Sequence, residues 1–163
     1  MKELLVIRHA KSSWANIGQD DFDRPLNDRG ERDAPEMALR LIARSIKVDA
    51  FISSTAKRAF STATYFAEVF NKKAADINKK KELYHAPSLT YYQVLATVNA
   101  AINTVAIFAH NPGITDFVNS LGTTQIDNMP TCAVFAVKLY TADWSEIRVC
   151  KKEFWFFDYP KLA

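Results

Sequence analysis

A chain of 163 residues with 48% hydrophobic and 24% charged side chains has the composition of an ordinary soluble globular protein, long enough for one domain with a substantial core. No apolar run approaches the roughly 20 residues of a membrane helix, and Met1-Lys2-Glu3 leads straight into an apolar segment without a signal-peptide h-region, so a cytoplasmic protein with no membrane partner is expected. The net charge of +3 and the dispersed lysines, with no interleaving of aromatic and basic residues, argue against a nucleic-acid partner.

Leu4-Leu5-Val6-Ile7 is a fully apolar run of the kind that forms a central strand buried on both faces. It runs directly into Arg8-His9 and the small-residue loop Ala10 to Ser13, at the carboxyl end of the strand, where open α/β sheets bind ligands. Arg grips phosphate or carboxylate through paired hydrogen bonds, and His titrates near neutrality and serves as nucleophile, acid or base. A polar loop from Trp14 to Asp28 follows, with Asn27 as N-cap of a helix carrying Met37, Ala38, Leu41 and Ile42 on one face. Pro35 either bends that helix or marks the start of its regular part.

A second strand, Val48 to Ser53, ends in Ser54-Thr55-Ala56-Lys57-Arg58. The helix that follows repeats Ala59, Phe60, Ala63, Phe66, Ala67 and Phe70 at helical spacing, which sets Arg58 in its first turn. The helix dipole disfavours a cation there, so a bound anion accounts for it better. Residues 74–78 lead to an edge strand whose flanking lysines, Lys72-Lys73 and Lys79-Lys80-Lys81, block edge pairing. Ser88 is expected to cap a helix through Leu89, Tyr92, Leu95, Ala96 and Asn99.

Thr104 to Ala109 repeats the design of the first strand and ends at His110-Asn111-Pro112-Gly113. Pro112 suits the first helical position and Gly122 the position just past the end, with Ile114, Phe117, Val118 and Leu121 facing the core. Strands from Cys132 to Leu139 and from Glu146 to Cys150 are expected next, then an aromatic tail, Phe154 to Tyr159, acting as a covering strand or arm rather than a dimerisation surface. Cys132 and Cys150 lack metal-ligand or CxxC spacing and read as structural thiols. Strand, polar residue and helix thus recur three times, delivering Arg8-His9, Arg58 and His110.

Leu5-Val6-Ile7-Arg8-His9-Ala10-Lys11-Ser12-Ser13-Trp14, Asp23-Arg24-Pro25-Leu26-Asn27-Asp28-Arg29-Gly30, Ser53 to Ala59, Leu83-Tyr84, His110-Asn111-Pro112 and Met129-Pro130-Thr131-Cys132, in that order, resemble the histidine phosphatase superfamily. Within it they look like the small SixA-like phosphohistidine phosphatases, over nearly the whole chain. The resemblance implies one histidine phosphatase domain over residues 1–163, a three-layer α/β/α sandwich whose mostly parallel sheet of about six strands has one antiparallel strand towards an edge. It also implies that His9 is a nucleophile phosphorylated in transit, that Arg8, Arg58 and His110 hold the phosphoryl oxygens, and that neither metal nor cofactor is needed. Ser12, Ser13, Arg24 and Asn111 are candidate substrate-binding residues. Arg24 either brings a further cation over the pocket or pairs with Asp20, Asp21 or Asp23 to pin its loop. For His9 to attack, its imidazole must be neutral, with a backbone carbonyl on the other nitrogen.

The sequence departs from the superfamily pattern at Ala10, where many members have Gly, and in lacking an unambiguous carboxylate as general acid. Glu82 and His85 are the nearest candidates for that acid. An alkoxide leaving group needs a proton far more than imidazole does, so the expected substrate is phosphohistidine on a partner protein, handled by a monomer or weak dimer. The alternatives are a small-molecule phosphomonoesterase or mutase of the same superfamily, the mutase being disfavoured by the short chain, or a non-catalytic phosphohistidine-binding module.

Overall fold

The computed structural model of the chain describes residues 1–162. Its strands are β1 Lys2–Arg8, β2 Ala50–Ser53, β3 Ile77–Lys79, β4 Thr104–Ala109, β5 Val134–Tyr140 and β6 Lys151–Asp158, joined in one sheet of order β3-β2-β4-β1-β5-β6. β5 is antiparallel to both neighbours, and the other five strands run in one direction. Helices α1 Asp28–Ala43 and α2 Lys57–Val69 cover one face, α3 Ser88–Ala96 and α4 Gly113–Ser120 the other. This is the expected α/β/α sandwich with one antiparallel strand beside an edge. Among the described residues, no helix is long and apolar enough to cross a membrane.

β1 explains why the sandwich closes around it. Successive side chains of a strand point to opposite faces. Leu4 and Val6 therefore join Tyr91, Phe117 and Trp144 on one side, while Leu5 and Ile7 join Met37, Leu41 and Phe66 on the other. All four β1 residues are fully buried, each contributing about 1.5–3 kcal/mol of apolar burial.

Asn27 caps α1 by accepting from the Gly30 N–H at 2.9 Å, and the helix continues past Pro35 without interruption. Its core face is Ala34, Met37, Ala38 and Leu41, whereas Ile42, expected there, is exposed. Ser45 at φ 61° folds the chain back under the helix end, and buried Ile46 fills the place expected of Ile42. α2 starts after Ala56 with no side-chain cap, Ser54 Oγ instead accepting from the Ala56 N–H.

α3 corrects the expected face and length. Pro87, not Ser88, is its N-cap, Tyr91, Val94 and Leu95 are buried while Leu89 is exposed, and the helix stops at Ala96. Apolar residues occur all round this segment, and stacking of Tyr91 on Phe117 at 4.8 Å decides which side turns inward. Asn99 lies beyond the helix, its side chain accepting from the Ala101 N–H.

Pro112 is the N-cap of α4 rather than its first residue, and Gly122 follows the cap Leu121 at φ 74°. β2 and β5 each begin two residues later than expected, β5 because Cys132 at φ 61° leaves extended geometry. Residues 146–150 are not a strand. Asp143 accepts from the Ser145 N–H, and a one-turn 3₁₀ helix, Trp144–Glu146, buries Trp144, whose Nε1 donates to the Ile102 carbonyl at 2.7 Å. The aromatic tail is itself the last strand, β6, and Cys132 and Cys150, both outside strands, are free thiols.

Candidate active site

Sheet register assembles the candidate residues. β1 and β4 are adjacent and parallel with Arg8 opposite Ala109, so the next residue of each strand, His9 and His110, must also be neighbours. The His9 N–H donates to the Ala109 carbonyl at 3.1 Å, and the two imidazole centroids lie 5.2 Å apart. β2 flanks β4 on its other side, and the turn beyond it brings Ser54 Oγ to 2.8 Å from His110 Nε2. One turn further, Arg58 enters α2 with its Nε donating to His9 Nε2 at 3.3 Å. The loop before β5 meets the same end of the sheet because β5 runs the opposite way. The Met129 carbonyl there accepts from Arg8 Nη1 at 2.8 Å, and the Cys132 N–H donates to the His9 carbonyl at 3.0 Å.

His9 is 6% exposed and His110 4%. Burial holds the His9 imidazole well below its ordinary range against the opposing hydrogen bond to Ala10, with repulsion from His110, Arg8 and Arg58 adding to the lowering. His110 is lowered to about 3, first by burial and then by Arg58. Both rings are therefore neutral at pH 7. His9 Nδ1 donates to the Ala10 carbonyl at 2.7 Å, which leaves the Nε2 lone pair facing the guanidinium of Arg58. Ala10 itself is buried and donates its N–H to Thr62 Oγ1 at 2.9 Å, so the loop following His9 is tied to α2. Burial and the nearby Arg58 lower Arg8 from its ordinary value. Arg8 Nε and His110 Nδ1 are buried polar atoms without a partner.

Asp21 is the residue that sequence reasoning undervalued, naming it only as one of three possible partners for Arg24. Its Oδ2 accepts from Arg58 Nη2 at 3.0 Å and from the Tyr84 hydroxyl at 2.6 Å, and its backbone carbonyl accepts from Arg58 Nη1 at 2.6 Å. Its Oδ1 accepts from Arg24 Nε at 3.1 Å. Partial burial opposes ionisation of this carboxyl, but Tyr84, Arg58 and Arg24 outweigh it and bring it to about 2. Asp21 thus places an anion of the chain's own beside Arg58, in addition to the bound anion expected there.

The other candidates lie at graded distances from this centre. Arg24 is buried, pairs with Asp21, donates to Ser12 Oγ at 2.9 Å and lies 3.5 Å beneath the Trp14 ring, which realises the loop-pinning alternative. Ser13 Oγ accepts from the Ala15 N–H within its own loop. Asn111 donates to Asn128 Oδ1 and to the Met129 carbonyl while its Oδ1 accepts from Thr115, which secures the loop that holds Arg8. Glu82 is exposed and lines a separate cleft with Lys80, Thr90 and Gln93. His85, at φ 55°, packs against Tyr84 with ring centroids 3.9 Å apart and planes tilted by 39°, and shares a cleft with His110. Among the described residues, no group of three or more His, Cys, Asp or Glu could hold a metal ion.

The family model described as histidine phosphatase superfamily (branch 1) matches residues 4–85, just over half of the chain. The chain belongs to the histidine phosphatase superfamily. As a histidine phosphatase it is a hydrolase acting on phosphate groups through a phosphohistidine intermediate. It is similar to the crystal structure of a protein from Agrobacterium tumefaciens provisionally assigned as phosphohistidine phosphatase SixA, with a TM-score of 0.80, 25% identity and 98% of each chain covered. The structure of the protein histidine phosphatase SixA complexed with tungstate shares the fold, with a TM-score of 0.81 over 97% of each chain at 20% identity. Phosphoserine phosphatase 1 of Hydrogenobacter thermophilus is 32% identical over 87 residues, 52% of this chain and 40% of that protein.

Proposed function

We propose that this histidine phosphatase removes phosphate from phosphohistidine on a partner protein, with His9 as nucleophile. In this reading Arg8, Arg58 and His110 surround the transferring phosphoryl group, two guanidiniums and an imidazole neutralising its charge. Phosphoryl oxygens draw the Arg58 Nε–H away from His9, freeing the Nε2 lone pair while the Ala10 carbonyl keeps the proton on Nδ1. A P–N bond to His9 forms as the bond to the leaving group breaks with its electron pair staying on that group, and water then hydrolyses the phosphorylated His9.

The observation that carries the choice of substrate is the state of the carboxylate that holds Arg58. Asp21 is held at about 2 by its neighbours and engages Arg58, Arg24 and Tyr84 at once, so it stays ionised and offers no proton. Glu82, the nearest candidate carboxylate for an acid, borders a different cleft. An imidazole leaving group tolerates this, and an alkoxide does not. The A. tumefaciens protein assigned as a phosphohistidine phosphatase supports the same reading.

The test is phosphate release from a phosphohistidine-bearing protein and from a panel of alkyl phosphates, with chelator throughout, comparing wild type with His9→Ala. Release from phosphohistidine that far exceeds the esters and vanishes in the variant is expected. Faster turnover of the esters would overturn the assignment of substrate.

A further inference from the structure

A cleft of about 280 Å³ opens beside the phosphoryl site and shares His110 with it. Its lining also includes His85, Ala86, Pro87, Asn111, Pro112 and Asp116. Three features make it more than a surface dent. His110, 4% exposed, lines it and has a buried Nδ1 without a partner. His85 is held against Tyr84 at φ 55°, a backbone region that a non-glycine residue occupies at a cost and that clusters at functional sites. Asp116, in the first turn of α4, is exposed, and among the described residues no cation pairs with its carboxylate.

An unpaired carboxylate in a cleft that shares His110 with the phosphoryl site is a cost for any phosphorylated compound that carries a second negative charge. It is an advantage for a leaving group that carries a proton. We infer that this cleft is the leaving-group subsite and that Asp116 accepts the ring N–H of the departing imidazole, a reading that rests on phosphohistidine being the substrate. The chemistry balances without a general acid. The phosphorylated ring enters protonated on its second nitrogen, the bond between His9 Nε2 and phosphorus forms, and the substrate P–N bond breaks with its electron pair kept by the ring. The cationic ring thus leaves as neutral imidazole, its remaining proton still on the nitrogen that faces Asp116. The apolar walls Ala86, Pro87 and Pro112 suit the body of such a ring, and Asp116, the only carboxylate lining the cleft among the described residues, distinguishes its N–H from an alkyl or carboxylated group.

The experiment compares kcat/KM for phosphohistidine, para-nitrophenyl phosphate and 3-phosphoglycerate in wild type, Asp116→Asn and Asp116→Lys, each shown to be folded by its thermal transition. Para-nitrophenolate leaves without a proton and has no N–H to offer. The ratio of phosphohistidine to para-nitrophenyl phosphate turnover is expected to fall about tenfold in Asp116→Asn, the effect of losing one solvent-accessible charge-assisted hydrogen bond. It should fall further in Asp116→Lys, where turnover of the carboxylated ester rises. A wild type active on phosphohistidine whose ratio is unchanged in both variants would overturn the subsite alone. A wild type inert toward phosphohistidine would overturn the subsite together with the proposed substrate.

Discussion

Replacing Asp21 with Asn keeps the shape of the side chain and removes the charge that holds Arg58 from behind. A carboxyl at about 2 against an ordinary 3.8 corresponds to ~2.5 kcal/mol of preferential interaction with the folded state. The Asp21 side chain is 39% exposed, so solvent screening reduces this to about 1 kcal/mol. The sign follows from the lowered value: the contribution is fully present above about pH 4 and is lost as pH falls through about 2. Urea unfolding should therefore show Asp21→Asn less stable than wild type by about 1 kcal/mol at pH 7, with the gap closing in acid. Function should suffer more than stability, because Arg58 is 4% exposed and loses the carboxylate that fixes its plane beside His9. A mispositioned guanidinium is expected to lower kcat/KM by about 10- to 100-fold and to weaken vanadate binding. Tighter vanadate binding by Asp21→Asn would refute this reasoning, since Asp21 would then be competing with the phosphoryl group for Arg58 rather than positioning it.

The two buried neutral histidines make the protein acid-sensitive well above the carboxylate range. Both are lowered in the folded state, so between pH 6.5 and 5.5 the unfolded chain takes up protons that the folded one refuses. Unfolding free energy should then drop by up to ~1.4 kcal/mol per histidine, and a flat profile in urea titrations at the two pH values would contradict the burial of His9 and His110. At Gly113 an added Cβ would overlap the Ala86 carbonyl oxygen, so Gly113→Ala should push the His85–Ala86 segment off α4. A loss of about 1–3 kcal/mol in thermal unfolding is expected, together with reduced turnover. Arg40 donates to the Asp158 carboxylate and to the Tyr159 and Pro160 carbonyls. Arg40→Ala should loosen the chain after β6, read as faster proteolysis there and about 1–2 kcal/mol lower stability, with phosphatase activity retained.

The features legible in the sequence were those written in short local patterns. Leu4 to Ile7 and Val105 to Ala109 specify buried parallel strands because continuous apolar runs leave them no solvent face, and the polar residues that follow must then sit at the sheet rim. Asn27 and Gly122 declare helix ends through capping chemistry that depends only on neighbours in the chain. Where apolar residues occur all round a segment, as in α3, periodicity does not select an inward face, and the stacking of Tyr91 on Phe117 makes the choice. Glu146 to Cys150 failed as a strand because burial of Trp144 and the Asp143 cap outweighed the local β preference of Ile147 and Val149.

For the site, the sequence by itself determined which chemical groups are present, that Arg8, His9 and His110 lie at strand ends and that Arg58 lies in the first turn of a helix. It also implied an anion beside Arg58. Only the tertiary structure decided that Asp21, 37 residues away in the chain, holds Arg58, and that Ala10 and Arg58 together fix the His9 tautomer. The same holds for Asn111, which braces the Met129 loop, and for His85 and Asp116, which meet across one cleft. The division has one physical cause. Strand and helix propensities act over a few neighbouring residues, whereas hydrogen-bond partners are chosen by sheet register and loop packing, which bring together groups that the chain keeps far apart.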